Sequence, residues 1–132
     1  MPFLLDTNAV IAVLNDRASR AAARLRGERP ADVAVSAIVM HELFYGAFKS
    51  ARADRNLALL DGLRFAVLEF GREDAREAGE VRAVLAGRGT PIGPFDVLIA
   101  GQARARGLVL VTRNTGEFGR VPGLRIEDWE AG

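Results

Sequence analysis

Asp6, Glu42, Asp96 and Glu117 are the four acids whose surroundings single them out for chemistry. The chain contains no cysteine and a single histidine, His41. Cysteine nucleophiles, disulfides, thiolate zinc sites, iron–sulfur clusters and multi-histidine metal sites are therefore excluded. Any reaction must run on oxygen. Carboxylates brought together raise one another's pKa unless a cation neutralises them. An all-oxygen set suits Mg2+ or Mn2+. Such an ion holds a phosphate oxygen, generates hydroxide from water and stabilises a leaving oxygen, which is the chemistry of phosphodiester hydrolysis.

The other acids have plainer readings. Asp16, Glu28, Asp32, Asp54, Glu73, Asp74, Glu77, Glu80, Glu127, Asp128 and Glu130 stand among charged or loop residues and read as solvated faces and helix ends. Asp61 belongs to a turn, and Glu69 alternates with Leu68 and Phe70 on the solvent side of a strand. The four singled out also have bland readings. Asp6, in Asp6-Thr7-Asn8, is a good helix N-cap as well as a site candidate, and the two are compatible. Glu42 stands off the apolar face formed by Val39, Met40, Leu43, Phe44 and Ala47, with the small Gly46 one turn later. Asp96 sits in a first helical turn, with the small Ala100 one turn on. Glu117 is a loop acid, and Asn114 competes for the same neighbourhood.

These residues must be positioned by an α/β fold. Phe3–Leu5 is a short apolar run that stops at the capping cluster, and a helical pattern follows to Leu14. Arg17 to Arg26 reads as an arginine-rich helix. Val33–Val35 is a buried-strand pattern, after which Ser36 caps a helix from Ala37 to Lys49. Asp54 to Leu63 reads as a helix, Phe65 to Phe70 as a strand, and Arg72 to Leu85 as a helix. Gly93-Pro94 opens a helix that Gly107 stops after Arg106. Leu108–Thr112 is the strongest strand pattern, and Leu124–Ile126 is a weak last one. Short apolar strands alternating with longer helices imply βαβ units and a parallel sheet covered on both faces, over one domain spanning residues 1–132. In such sheets the site lies beyond the carboxyl ends of the strands.

With these residues placed, the sequence resembles the PIN-domain ribonucleases, specifically the VapC-type toxins of toxin–antitoxin pairs. The resemblance rests on Leu4-Leu5-Asp6-Thr7-Asn8, then Ser36-Ala37-Ile38 with Glu42-Leu43 and Gly46. It continues through Pro91-Ile92-Gly93-Pro94-Phe95-Asp96-Val97-Leu98-Ile99-Ala100 and Leu110-Val111-Thr112-Arg113-Asn114. It ends with Phe118, Val121-Pro122-Gly123-Leu124 and Asp128-Trp129. It implies a three-layer PIN-like fold, with a mostly parallel, twisted five-stranded sheet flanked by helices. It implies a Mg2+- or Mn2+-dependent endoribonuclease that acts on tRNA, rRNA or mRNA. The family's acids fall on Asp6, Glu42 and Asp96. Asp6 and Asp96 would be primary metal ligands, with Glu42 completing the shell or orienting the attacking water. The family's fourth acid often stands two residues after the strand-end threonine. That position is Asn114 here, so Glu117 is taken as the fourth acid, with Thr7, Asn8, Thr112 and Asn114 lining the site. The implied partners are an RNA substrate and a VapB-type antitoxin, with a homodimer that forms a heterotetramer or larger assembly with the antitoxin. A degenerate PIN module that binds RNA or a partner without cutting is the alternative.

The charge pattern bears on the partner. Eighteen bases meet seventeen acids, for a net charge of +1, and of the bases only Lys49 is a lysine. Guanidinium matches phosphate bidentately, so the expectation is a local arginine groove and not general nucleic-acid affinity. Arg113 and Arg120 are the RNA-binding candidates near the site, while Arg17, Arg20 and Arg24 recur at helical spacing. His41 projects about 100° around its helix from Glu42 and reads as a bystander. A phosphoaspartate enzyme fits poorly, because position 8 is asparagine and Lys49 ends a helix. The N-terminus lacks the features of a signal peptide, and no apolar run reaches the ~18 residues of a membrane helix, so a cytoplasmic protein is expected.

Overall fold

A computed structural model of the chain describes residues 2–131. Five short strands, β1 (Phe3–Leu5), β2 (Val33–Ser36), β3 (Ala66–Leu68), β4 (Val109–Val111) and β5 (Ile126–Glu127), form one sheet in the order β3-β2-β1-β4-β5. Every pairing is parallel, so the mostly parallel sheet expected from sequence is wholly parallel. Among the described residues seven α-helices cover it: α1 (Thr7–Asn15), α2 (Arg20–Arg26), α3 (Ala37–Lys49), α4 (Ala53–Asp61), α5 (Arg72–Gly87), α6 (Pro94–Arg106) and α7 (Thr115–Phe118). The strands need no alternation because both faces are buried: Leu4, Leu5, Ala34, Val35 and Leu110 are all fully enclosed.

Chain order reverses direction across β1. β2 and β3 build outward on one side, and β4 and β5 return on the other. This reversal opens a crevice at the carboxyl end of β1. The register makes that edge level. Leu5 pairs with both Val35 and Val111, and Val111 pairs with Glu127. The next residues, Ser36, Asp6, Thr112 and Asp128, therefore stand in a row across adjacent strands, roughly 4.8 Å from one strand to the next.

The helix boundaries follow local chemistry. Ser36 caps α3 by accepting the Ile38 N–H at 3.0 Å. Gly107 ends α6 at φ 65°, in the left-handed region that favours glycine. The helix expected from Arg17 begins only at Arg20, because Asp16 accepts the Ala18 N–H at 2.9 Å in a turn and Ser19 caps α2. Helix α7 is an addition to the elements read from sequence, being too short to carry a hydrophobic period.

Helices α5 and α6 pack unusually close. A Cβ on Gly101 would lie 2.4 Å from the Ala78 Cα and N, so only glycine fits there. The same interface corrects the reading of Asp74 as a solvated acid. Asp74 is 2% exposed. It accepts the Gly71 N–H at 2.8 Å, Gln102 Nε2 at 3.1 Å and Arg106 Nη2 at 3.0 Å. Burial opposes its ionisation, but the bond and charge of Arg106, with the Gly71 and Gln102 bonds, outweigh that and hold its pKa below the ordinary value. Its helix-start position was legible; its burial depended on α6 crossing over it.

Candidate active site

Asp6 follows β1 directly. Its N–H continues the sheet by donating to the Val111 carbonyl at 3.1 Å, and its carboxylate accepts the Ala9 N–H at 2.7 Å as the N-cap of α1. The cap reading thus holds, and it leaves the carboxylate at the carboxyl edge of the sheet. The residue is 4% exposed, and Thr112, level with it one residue beyond β4, bonds its side chain. Burial raises the Asp6 pKa. The Thr112 and Ala9 bonds work against the rise, and the charges of Glu42 and Asp128 add to it.

Glu42 stands on the second turn of α3, half-buried, where the Thr7 hydroxyl donates to it. The cap cluster that starts α1 thereby holds two acids: Asp6 by backbone, Glu42 through the residue after it. Gly46, a turn further on, has no atom within 4 Å of its Cβ position, so the space above Glu42 is open.

Asp96 and Glu117 come from the opposite wall. Helix α6 runs back toward β4, so its N-terminus lies at the carboxyl edge of the sheet. Pro94 at its first position fixes the start, and Asp96 falls in the first turn. Glu117 is delivered by α7. Asn114 caps that helix, accepting the Glu117 N–H at 3.4 Å while its amide donates to the Glu117 carboxylate. The other Glu117 oxygen accepts the Gly93 N–H at 2.6 Å. A Cβ on Gly93 would lie 3.0 Å from Asp96 Oδ2 and 3.6 Å from Glu117 Oε1, so glycine here keeps the pocket between the two acids clear. Asp96 is pushed up to about 7. Burial is the largest cause, followed by the charge and hydrogen bond of Glu117, then the charges of Glu42 and Asp6.

The four sequence-selected acids thus act on one another electrostatically at one edge of the sheet. Among the described residues, no three acidic or histidine side chains are drawn up as a finished metal cage. Three of the four are instead held by protein donors: Asp6 by Ala9, Glu42 by Thr7, Glu117 by Gly93 and Asn114. The donor set nevertheless fits a hard cation in kind, being all oxygen, and burial together with the uncompensated charge around it raises the Asp96 carboxyl.

The remaining candidates are spread around this centre. Thr112 is buried, and its hydroxyl oxygen accepts the Asn114 N–H at 2.9 Å. Asn8 and Arg113 are exposed at the mouth. Arg120 donates to the Pro91 carbonyl at 3.3 Å, pinning the segment that leads into α6. Arg24 is committed elsewhere, paired with Glu28 and Glu127 and stacked over Phe3 and Trp129. Arg17 lies outside α2 altogether. His41 is exposed and packs on Phe95, ring centroids 5.4 Å apart. One acid was missed. Asp128, read from sequence as solvated, follows β5 at the same edge and acts on Asp6. Its position one residue beyond a strand was the available signal.

Comparison with known proteins bears on the family and the fold. The sequence profile described as the PIN domain matches residues 3–124. The tRNA(fMet)-specific endonuclease VapC of Salmonella typhimurium is 44% identical over 131 residues, 98% of each chain. Ribonuclease VapC2 of Haemophilus influenzae is 37% identical over the same length, again 98% of each. Among solved structures, DNA-bound VapBC from Salmonella typhimurium superposes with a TM-score of 0.93 at 44% identity, covering 98% of both chains. VapBC2 from Rickettsia felis, bound to a promoter DNA fragment, gives 0.90 at 34% identity, covering 98% of this chain and 99% of that one. By profile, sequence and fold alike, the chain belongs to the PIN domain family and, within it, to the VapC proteins.

Proposed function

We propose that this chain is a divalent-metal-dependent endoribonuclease, the toxin of a toxin–antitoxin pair. The carrying observation is the convergence of Asp6, Glu42, Asp96 and Glu117 at one sheet edge, where burial and then the charges of the other three push Asp96 up to about 7. A cluster of this kind is unfavourable by itself and becomes favourable around a cation. Asp6 and Asp96 would hold Mg2+ or Mn2+, with Glu42 and Glu117 completing the set directly or through water. The bound ion would supply Lewis acidity toward the phosphate and a lowered pKa for water. The chain's own residues do the rest. The Ala9 N–H and Thr112 orient the Asp6 carboxylate, and Thr7 orients Glu42. Gly93 and Asn114 hold Glu117 against Asp96, and the proton kept there leaves when the site is neutralised.

The relatives at 44% identity are named for initiator tRNA, which makes that RNA the first substrate to try. The solved relatives are toxin–antitoxin complexes, which supports a VapB-type antitoxin as partner. Tyr45, Phe48 and Phe95 are exposed aromatics, side chains of the kind that a partner or a second copy covers. No helix among the described residues is long and apolar enough to cross a membrane.

The test is cleavage of initiator tRNA, an elongator tRNA and an unstructured mRNA, each with Mg2+, Mn2+ or EDTA. Wild type should cut in metal only, and Asp96→Asn should not cut. Equal cutting by both, or cutting in EDTA, would overturn the assignment. Binding without cutting by either would make the chain a degenerate module.

A further inference from the structure

Beside the acids, a crevice of about 530 Å³ opens between α1 and the turn after β4, lined by Asn8, Ile11, Ala12, Arg113 and Asn114. Its size falls within the range of small-molecule sites. Asn8, Ile11 and Ala12 share one face of α1 at helical spacing. Its groups are chemically mixed. Arg113 is exposed and, among the described residues, forms no ion pair, whereas Arg24, Arg29, Arg104 and Arg106 are all paired with acids. The Asn114 amide is committed to Glu117, but Asn8 is exposed at the other side with its amide free among the described residues. Ile11, 39% exposed, presents apolar surface to the opening, next to the small Ala12.

We propose that this crevice is a nucleotide subsite, which seats one unpaired residue of the RNA next to the scissile phosphate. The inference rests on the reading of the acids as a nuclease site. Arg113 lies in the chain between Thr112, which bonds Asp6, and Asn114, which bonds Glu117. The crevice and the acid cluster share Asn114, so a phosphate bound in the crevice on Arg113 lies beside the acids. That placement answers an electrostatic problem, because clustered acids repel a polyanion, and an exposed guanidinium beside them offsets the repulsion where the backbone enters. The Ile11–Ala12 surface takes the face of a base, and the Asn8 amide, both donor and acceptor, reaches a base edge or the 2′-hydroxyl. A base stacked within a duplex cannot enter such a crevice, so the subsite selects single-stranded loops.

The experiment uses the full chain with a fluorescein-labelled stem-loop RNA carrying a seven-base loop, read by anisotropy in Ca2+ across a salt series, and by cleavage kinetics in Mn2+. Arg113→Gln should weaken binding about tenfold and reduce the slope of log K against log salt by about 0.7, the contribution of one single-strand phosphate contact. It should raise KM more than it lowers kcat, and leave Mn2+ affinity unchanged. Arg88→Gln, an exposed arginine at the end of α5, should leave all of these unchanged. Ala12→Phe, which fills the crevice with Arg113 intact, should weaken loop binding while the melting temperature holds. If Arg113→Gln behaves as Arg88→Gln does, the subsite is wrong and the nuclease assignment stands. If wild type neither binds nor cuts RNA, both fall.

Discussion

Asp96 and Glu117 flank Gly93, where an added Cβ would lie 3.0 Å from Asp96 Oδ2 and 3.6 Å from Glu117 Oε1, and burial followed by the charge of Glu117 pushes the Asp96 carboxyl up to about 7, so that it holds a proton below neutral pH. A divalent cation must displace that proton to bind. Below pH 7, Mn2+ affinity should therefore fall as pH drops, by about tenfold per unit for one proton released. Isothermal titration between pH 5.5 and 8.5 would show it. Glu117→Gln removes the neighbouring charge and should move the midpoint to lower pH. Equal affinity at pH 6 and pH 8 would refute the coupling.

The same proton sets the stability of the metal-free protein. The Asp96 carboxyl titrates at about 7 in the fold and at its ordinary 3.8 when unfolded. Between those values the folded state binds the extra proton, so stability is full below about pH 4 and is lost as pH rises through 7. In EDTA at pH 8, Asp96→Asn should melt a few degrees above wild type. It should also lose the rise in melting temperature that Mn2+ gives the wild type.

Asp6 has two tasks that substitution separates. Asp6→Asn keeps a cap for α1 and removes the charge; it should abolish cleavage at nearly native stability. Asp6→Ala should abolish cleavage and also cost about 1 kcal/mol in denaturant melts. Thr112→Val preserves shape but loses the bond that orients Asp6, and should reduce metal affinity or activity about 10- to 100-fold.

Gly101→Ala should be among the most damaging small changes available. The added methyl meets the backbone of Ala78, so α5 and α6 must separate, costing about 1–3 kcal/mol or more. Ala78→Gly in the same chain should fail to restore stability, since the obstructing Cα and N remain. Chemical denaturation of the single and double variants would check both points.

Asp74→Asn addresses the acid side of the stability curve. The Asp74 pKa is lowered in the fold, so its contribution is present above the ordinary 3.8 and is lost as pH falls through the lower folded value. At pH 7 the substitution should cost about 2 kcal/mol, less than a fully buried pair because Arg106 is partly solvated. The gap between variant and wild type should narrow toward pH 2.

The sequence by itself determined which atoms could act. Without cysteine, and with one histidine, the chemistry was confined to oxygen. The local signals at Asp6-Thr7-Asn8, Ser36, Gly93-Pro94 and Gly107 placed helix ends well, because capping depends on residues a few positions apart. What depends on distant pairing was decided only by tertiary structure. The register of β1 between β2 and β4 set Thr112 beside Asp6 and Asp128 at the same edge. The crossing of α6 over α5 buried Asp74, which local composition marked as solvated. Helix α7, with no hydrophobic period of its own, carried Glu117 to Asp96. Local backbone chemistry is written in neighbouring residues, whereas burial and charge coupling arise between groups that only folding brings together.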